Sequence, residues 1–515
     1  MLHSGGNFST GPIDLGGLQV GPASSFSNPI WVGSQGGADG LGISMHEPTE
    51  LPEGFSMLGS ISISNNHTAF LGWTLVAKDV SGNTNNPTLK KPVDYKLVWS
   101  SELMKIPCYI WLPMAPDGYK AIGHVATNTS DKPSLDKVMC VRSDFTDPCE
   151  TSETIWEFGS FKIYDVRPSN RGIEAPGVRV GTFEAQNGTL RPPSIACLKN
   201  NNPIPNHMPN LEQVNAILKK HSPVMYLHPD EEYFPSSVEW FFSNGAQLHT
   251  KGQGSAINIP PNGSNLPQGG KNDGAYWIDL PADAKEQERV KKGNLSSAKS
   301  YVHVKPVDGG TYTDLAMWVF YPFNGPARAK VEFLNLNLGK IGEHVGDWEH
   351  VTLRVSNFNG DLKQMYFSEH NKGIWLDSSL IEYHIDHKPK YYSSLLGHAS
   401  YPHPGLHLVG QKSVGIRNDT DKGSIFDLGS SFQVVAAEYL GSQVVEPPWL
   451  NYFREWGPKI QYDLDKELKK LENNLPSFLK RALENIVKKL PSELLGQEGP
   501  TGPKEKDNWN GDERT

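Results

Sequence analysis

Cysteine is scarce in this chain: only Cys108, Cys140, Cys149 and Cys197 occur among 515 residues. None shows the doubled CxxC spacing of a structural zinc site, and so few thiols read as buried thiols in a reducing compartment. Long apolar runs are missing as well. No stretch of about 18 apolar residues exists, which excludes a bilayer-spanning helix. The start, MLHSGGNFSTGPIDLGG, has neither a basic n-region nor an apolar core, so no signal peptide is expected and the chain is expected to be cytoplasmic as synthesised. There is no basic excess either. A formal net charge of −9 excludes a general nucleic-acid binder, which needs a basic face. GxSxG, a Walker loop and a GxGxxG set between strand and helix are all absent, so no nucleophile with its base is in view.

Turn residues, by contrast, are plentiful. Fifty Gly and 39 Pro, with little helical periodicity before residue 460, predict many short strands and a mainly β protein. The length calls for two or three domains.

One phrase recurs in the first 200 residues. Pro52-Glu-Gly-Phe-Ser-Met-Leu-Gly59 is echoed by Pro116-Asp-Gly-Tyr-Lys-Ala-Ile-Gly123, and a shorter form ends at Gly181. A period of roughly 60 residues is structural, and the phrase reads as a Pro/Gly turn feeding a short strand. Trp31, Trp99 and Trp156 open a further strand ahead of each glycine. Residues 25–200 are therefore expected to form a threefold β-prism-like domain. Its N-terminal strands are expected to complete the third unit, leaving no open sheet edge. By fold-level analogy, equivalent loops of such domains bind sugars or lipid head groups.

After a polar linker at 199–210, residues 211–460 read as a β-sandwich-like domain. Its sharpest signal is Glu343-His344-Val-Gly346-Asp347-Trp348-Glu349-His350-Val. Alternation beyond Val351 marks a strand with one buried face, so Asp347 and Glu349 share a side while His344 sits on the preceding turn. Two carboxylates and an imidazole at this spacing suit a divalent cation, Mg²⁺ or Ca²⁺, whereas the bland reading is a polar network bracing a turn. A second group, His384, His387, His398, His403 and His407, matches no compact metal pattern. Residues 461–495 carry leucines at helical spacing and are expected as amphipathic helices packing on their own domain. Residues 496–515 read as an extended tail.

Several long phrases resemble the plant family of vacuolar protein sorting-associated protein 62: YLHPDEEYFPSSVEWFF, YPFNGPARAK, GEHVGDWEHVTLRVSNF, GHASYPHPG, EPPWLNYFREWGP and GPTGPKEKDNWNGDER. With the Pro-x-Gly-Tyr repeats, the resemblance spans nearly the whole chain. YPFNG followed by GEHVGDWEH is also similar to the central segment of the necrosis- and ethylene-inducing cytolysins. Those are β-sandwiches that use a bound divalent cation to engage sphingolipid head groups. That resemblance implies a cation site at His344, Asp347 and Glu349. Gly346 stands where those toxins carry a second His, and Asn324 where they carry a further Asp, so one negative charge is lost.

Three functions follow as expectations. The first is a non-enzymatic protein engaging a membrane lipid head group or a glycan receptor, of the kind of a plant defence or insecticidal cytolysin, able to oligomerise on membranes. The second is an intracellular trafficking or scaffold protein with the same lipid chemistry. The third is a metal-dependent hydrolase, in which His344, Asp347 and Glu349 activate water.

Overall fold

Short alternating runs between Gly and Pro turns produce strands throughout, and the computed structural model of the chain is mainly β. It describes all residues except 1–7, 9, 38–39, 41, 65–71, 102–105, 370–371, 412, 460–463, 474 and 489–498. Two units emerge, one of Met1–Pro209 with Pro306–Thr313 and Val355–Asp361, the other of Asn210–Lys305, Asp314–Arg354 and Leu362–Thr515. Among the described residues no helix is long and apolar enough to cross a membrane.

The first unit repeats one plan three times along the chain. A Trp-bearing hairpin pairs with the strand after each repeat glycine: Trp31–Gly33 and Ile43–His46 with Ile61–Ser64, Asp94–Ser100 and Tyr109–Met114 with Val125–Thr127, and Cys149–Phe158 and Phe161–Pro168 with Phe183–Asn187. A second sheet in each repeat joins the strand of the Pro/Gly phrase to the one that closes the unit, as Ser56–Met57 joins Leu75–Asp79. This corrects the expected closure. The third repeat has its own hairpin at Trp156, and the Trp31 hairpin completes the first repeat by pairing with Ile61–Ser64. The unit also begins earlier than residue 25, since Leu18–Pro22 pairs with Leu75–Asp79.

Three indoles meet at its centre. Trp31, Trp99 and Trp156 lie 5.8–6.1 Å apart between ring centroids, each edge-on to the next, a threefold pinwheel that aromatic quadrupoles favour. Elsewhere on the axis the backbones nearly touch. A Cβ on Gly123 would stand 2.6 Å from Thr182 Cβ and 3.1 Å from Gly59 Cα, which explains why two of the repeats carry glycine there. Gly123→Ala is accordingly expected to destabilise this unit by about 1–3 kcal/mol through overpacking, read as a lowered melting temperature.

In the second unit the main sheet holds six strands: β1 (Ser300–Val307), β2 (Tyr312–Asn324), β3 (His344–Ser356), β4 (Leu362–Glu369), β5 (Lys372–Asp377) and β6 (Phe432–Ala436). Their order is β5-β4-β3-β2-β1-β6. A four-stranded sheet of 328–331, 334–337, 405–411 and 414–420 carries helices α1 (Leu464–Glu472) and α2 (Ser477–Val487). Leu475, Leu479, Leu483 and Ile486 bury against Ala329, Val331 and Ile341, so the apolar helix faces are spent on their own unit. The side chain of Leu464, together with Lys489 and Leu490, lies outside the described residues.

The chain's last residues correct the expected tail. Trp509 is buried and stacks on His303 at 4.0 Å. Lys305, fully buried, donates to the carbonyls of Asn508 (2.8 Å) and Gly511 (3.2 Å). Arg354 bridges Asp314 at 2.8 Å and Asp512 at 3.0 Å. Buried charges need partners, and these polar residues supply them.

Candidate functional site

Where β2 ends and β3 begins, a cavity of about 230 Å³ opens in the second unit. Its lining includes all four candidate residues, Asn324, His344, Asp347 and Glu349, with Tyr366 and Ser368 of β4, the loop at Leu395–Gly397, Arg417 and Asn418, and the C-terminal segment from Glu505 to Asn508. Residues far apart in sequence are thus brought together by three strand ends, a loop and the closing segment.

Their arrangement differs from the expected one. His344 is the first residue of β3 rather than part of a preceding turn. Gly346, at φ +70°, interrupts the regular alternation of the strand. A Cβ there would lie 2.5 Å from the Trp456 carbonyl oxygen. That contact and the positive φ are the reasons glycine occupies this position. Gly346→His is expected to abolish folding of this unit or lower its melting temperature sharply, because both the positive φ and the close backbone forbid a side chain. Soluble yield and calorimetry check this.

Asp347 is buried, and His398 Nδ1 donates to its Oδ2 at 2.9 Å. On its other side the same imidazole faces Glu231 Oε1 at 3.7 Å, while its ring stacks on Tyr321 at 3.8 Å and 7°. Burial pushes the His398 pKa down, but the two carboxylates outweigh it and hold the group up at about 9. Burial pushes the Asp347 and Glu231 carboxyls up, yet hydrogen bonding and charge from His398 leave both below their ordinary values. The array is therefore carboxylate–imidazolium–carboxylate.

Among the described residues no three His, Cys, Asp or Glu side chains converge as ligands would. Asn324 Nδ2 donates to the carbonyls of Gly325 and Gly342, at 2.9 and 2.8 Å, which fixes the orientation of its amide.

The loop carrying His398 is strained. Leu396 and His398 both have positive φ, 68° and 58°, a conformation costing on the order of 1–2 kcal/mol for each residue with a Cβ. Glu231 offsets this by accepting from Leu396 N at 2.8 Å, and Gly325 N donates to Leu396 O at 2.9 Å. One carboxylate thereby fixes both the cavity wall and the charge beside Asp347.

A second buried pair stands across the cavity. His350 Nε2 lies 3.0 Å from Glu513 Oε2, and the Thr352 hydroxyl donates to the same carboxylate. Burial pushes Glu513 up, but His350, Lys305 and the hydrogen bonds bring it to about 2.

Sequence reasoning missed Glu231 and Glu513 and did not separate His398 from its neighbours. The other histidines of that group stay apart: His384 pairs with Asp386, and His403 with Glu382. The carboxylates at Asp347 and Glu349 drew attention to this strand, but nothing local to it named His398 as the partner of Asp347.

A family model described as vacuolar protein sorting-associated protein 62 matches residues 1–513. The chain is 24% identical over 356 residues to "Vacuolar protein sorting-associated protein 62" of Saccharomyces cerevisiae, covering 58% of this chain and 73% of that protein. It is 22% identical over 293 residues to the putative vacuolar protein sorting-associated protein TDA6 of the same organism, covering 48% and 60%. Among solved structures, GNIP1Aa from Chromobacterium piscinae is 19% identical with a TM-score of 0.30, and the match spans 40% of this chain and 41% of that one. Necrosis and Ethylene inducing Protein 2, from the causal agent of cocoa's Witches Broom disease, is 16% identical with a TM-score of 0.21, covering 44% and 75%.

Proposed function

This chain belongs to the vacuolar protein sorting-associated protein 62 family, and we propose that it is a non-enzymatic protein engaging membrane surfaces through a head group, borne by a lipid or a glycan, held in the cavity of its second unit. One observation carries this reading. Two buried ionisable groups at the cavity are held in charged form by permanent partners, His398 near 9 and Glu513 near 2. General acid–base catalysis asks for a group poised near the working pH. Groups pinned far from it serve recognition, where fixed charge and geometry matter and turnover does not.

Lipid binding and leakage by the full chain test the proposal. Vesicles of several lipid and glycolipid compositions are offered with chelator, then with Ca²⁺ or Mg²⁺. Binding with release of contents selects a cytolysin of the defence or insecticidal kind. Binding without release selects a trafficking or scaffold role. A cation-dependent rise in melting temperature would bring Mg²⁺ or Ca²⁺ into the site. Turnover of an ester or phosphoester, or no binding to any surface, would overturn the reading.

A further inference from the structure

The cavity is uneven in what it still lacks. Asn418 is 97% buried and His344 95% buried, from exposures of 3% and 5%, and Asn418 Nδ2, His344 Nδ1 and Trp348 Nε1 have no hydrogen-bond partner among the described residues. Among the described lining residues every buried side-chain atom in this position is a nitrogen, and none is an oxygen. An indole N–H can only donate, as can an amide NH₂. A buried donor without an acceptor costs about 1–3 kcal/mol, so a ligand that brings oxygen acceptors recovers that cost.

Charge at one wall runs in the same direction. Arg328 and Arg417 line the cavity from adjacent strands, and both hold one carboxylate, Asp419, at 2.8 Å from Arg328 Nη1 and 3.0 Å from Arg417 Nε. Two guanidinium groups on one carboxylate leave a positive charge at this wall. On the other walls Asp347 and Glu231 share His398, Glu513 has His350, and Lys372, Lys506 and Arg514 stand among Glu349, Glu505 and Asp507, so the excess is local to the arginine wall.

We propose that the cavity is an oxyanion site: it takes a phosphate or carboxylate group against Arg328 and Arg417, with Asn418 and Trp348 as donors to its oxygens. The inference rests on the head-group reading above and names the chemistry recognised. Guanidinium forks suit such groups because they donate two parallel hydrogen bonds to two oxygens.

Isothermal titration of the full chain with inorganic phosphate, glycerol 1-phosphate and methyl mannoside tests it, alongside co-sedimentation with phosphatidylcholine vesicles containing or lacking phosphatidic acid. The two phosphates are expected to bind and the neutral sugar not to, with affinity falling as salt is raised. Arg417→Gln is expected to weaken phosphate binding at least about tenfold, as loss of a charge-assisted hydrogen bond does. Asn418→Asp, which replaces a donor with a carboxylate, should weaken it further. Circular dichroism and melting temperature establish that each variant is folded. Should one variant fail to fold, Asp419→Asn gives the opposite sign, since it frees positive charge and is expected to tighten phosphate binding. Vesicle binding that requires phosphatidic acid and is displaced by glycerol 1-phosphate identifies a lipid source. Phosphate binding without vesicle binding identifies a soluble phosphate ester. Equal binding of methyl mannoside, or phosphate binding unchanged in Arg417→Gln, overturns the inference. If vesicles bind by the cavity while phosphate does not, the oxyanion assignment fails and the head-group reading survives; if no surface binds, that reading fails by itself.

Discussion

Replacing His398 by Gln is expected to cost the second unit about 3–5 kcal/mol, because it leaves Asp347 and Glu231 as buried carboxylates with no cation between them. The magnitude follows from two directions. Breaking a buried ion pair typically costs that much, and a rise from about 6.5 to about 9 in the His398 pKa corresponds to about 3 kcal/mol of differential interaction. Adding Asp347→Asn to His398→Gln should cost less than the sum of the two single changes, since the second removes a charge the first left uncompensated. The pH dependence has a definite sign. His398 is raised in the folded state, so its contribution is full below its unfolded pKa of about 6.5 and is lost as pH climbs through about 9. Asp347 and Glu231 are lowered, so their contribution is full above their unfolded values of about 4 and is lost as pH falls through the folded ones. Wild type should therefore weaken between about pH 6.5 and 9, and His398→Gln should lack that alkaline decline. Urea unfolding across this range measures both. An alkaline decline that persists unchanged in the variant would mean that His398 is not the group titrating.

Trp156→Ala is expected to be the most damaging single change in the first unit. Trp156 is fully buried, stands 5.8 Å from Trp31 and 5.9 Å from Trp99, and donates from Nε1 to the Gln35 carbonyl at 2.8 Å. Truncation removes one blade of the pinwheel and orphans that carbonyl. The usual cost of a buried Trp→Ala change is about 3–5 kcal/mol, or a fall on the order of 10 °C in the melting transition of a unit this size. Trp156→Phe should recover much of the loss in packing but not the hydrogen bond. Far-ultraviolet circular dichroism of both variants, with the second unit's transition as internal reference, distinguishes this from a general effect. A fall under about 1 kcal/mol would show that the axis is held by the backbone contacts at Gly59 and Gly123 instead.

The two changes show how differently the units depend on their sequence. In the first, local pattern repeats, and the repeat is itself the structure. The Pro/Gly turns, the glycines at the axis and the three tryptophans could be read from spacing, because each repeat packs the same residues against its symmetry mates. What spacing could not decide was the pairing of the Trp31 hairpin. Period alone permits it to close either the first repeat or the third, and only the ladder from Ile43–His46 to Ile61–Ser64 settles the choice.

In the second unit the strand at Val351–Val355 and the need for a charge beside Asp347 were legible, because alternation and carboxylate clustering are local properties. The source of that charge was not. His398 lies 51 residues beyond Asp347, and Glu231 is separated from Leu396 by 165. Their meeting depends on which strands lie side by side, and no local period encodes that. The closing segment makes the same point. GPTGPKEKDNWNGDER has the composition of a solvated tail, since it is rich in Gly, Pro and charge. Its burial supplies carbonyls to Lys305, a carboxylate to His350, and a second carboxylate to Arg354, which Asp314 also holds. Sequence by itself determined the β class, the threefold repeat and the family. Tertiary structure decided the partners of each buried charge, because a charge withdrawn from water must find its opposite wherever the fold brings one.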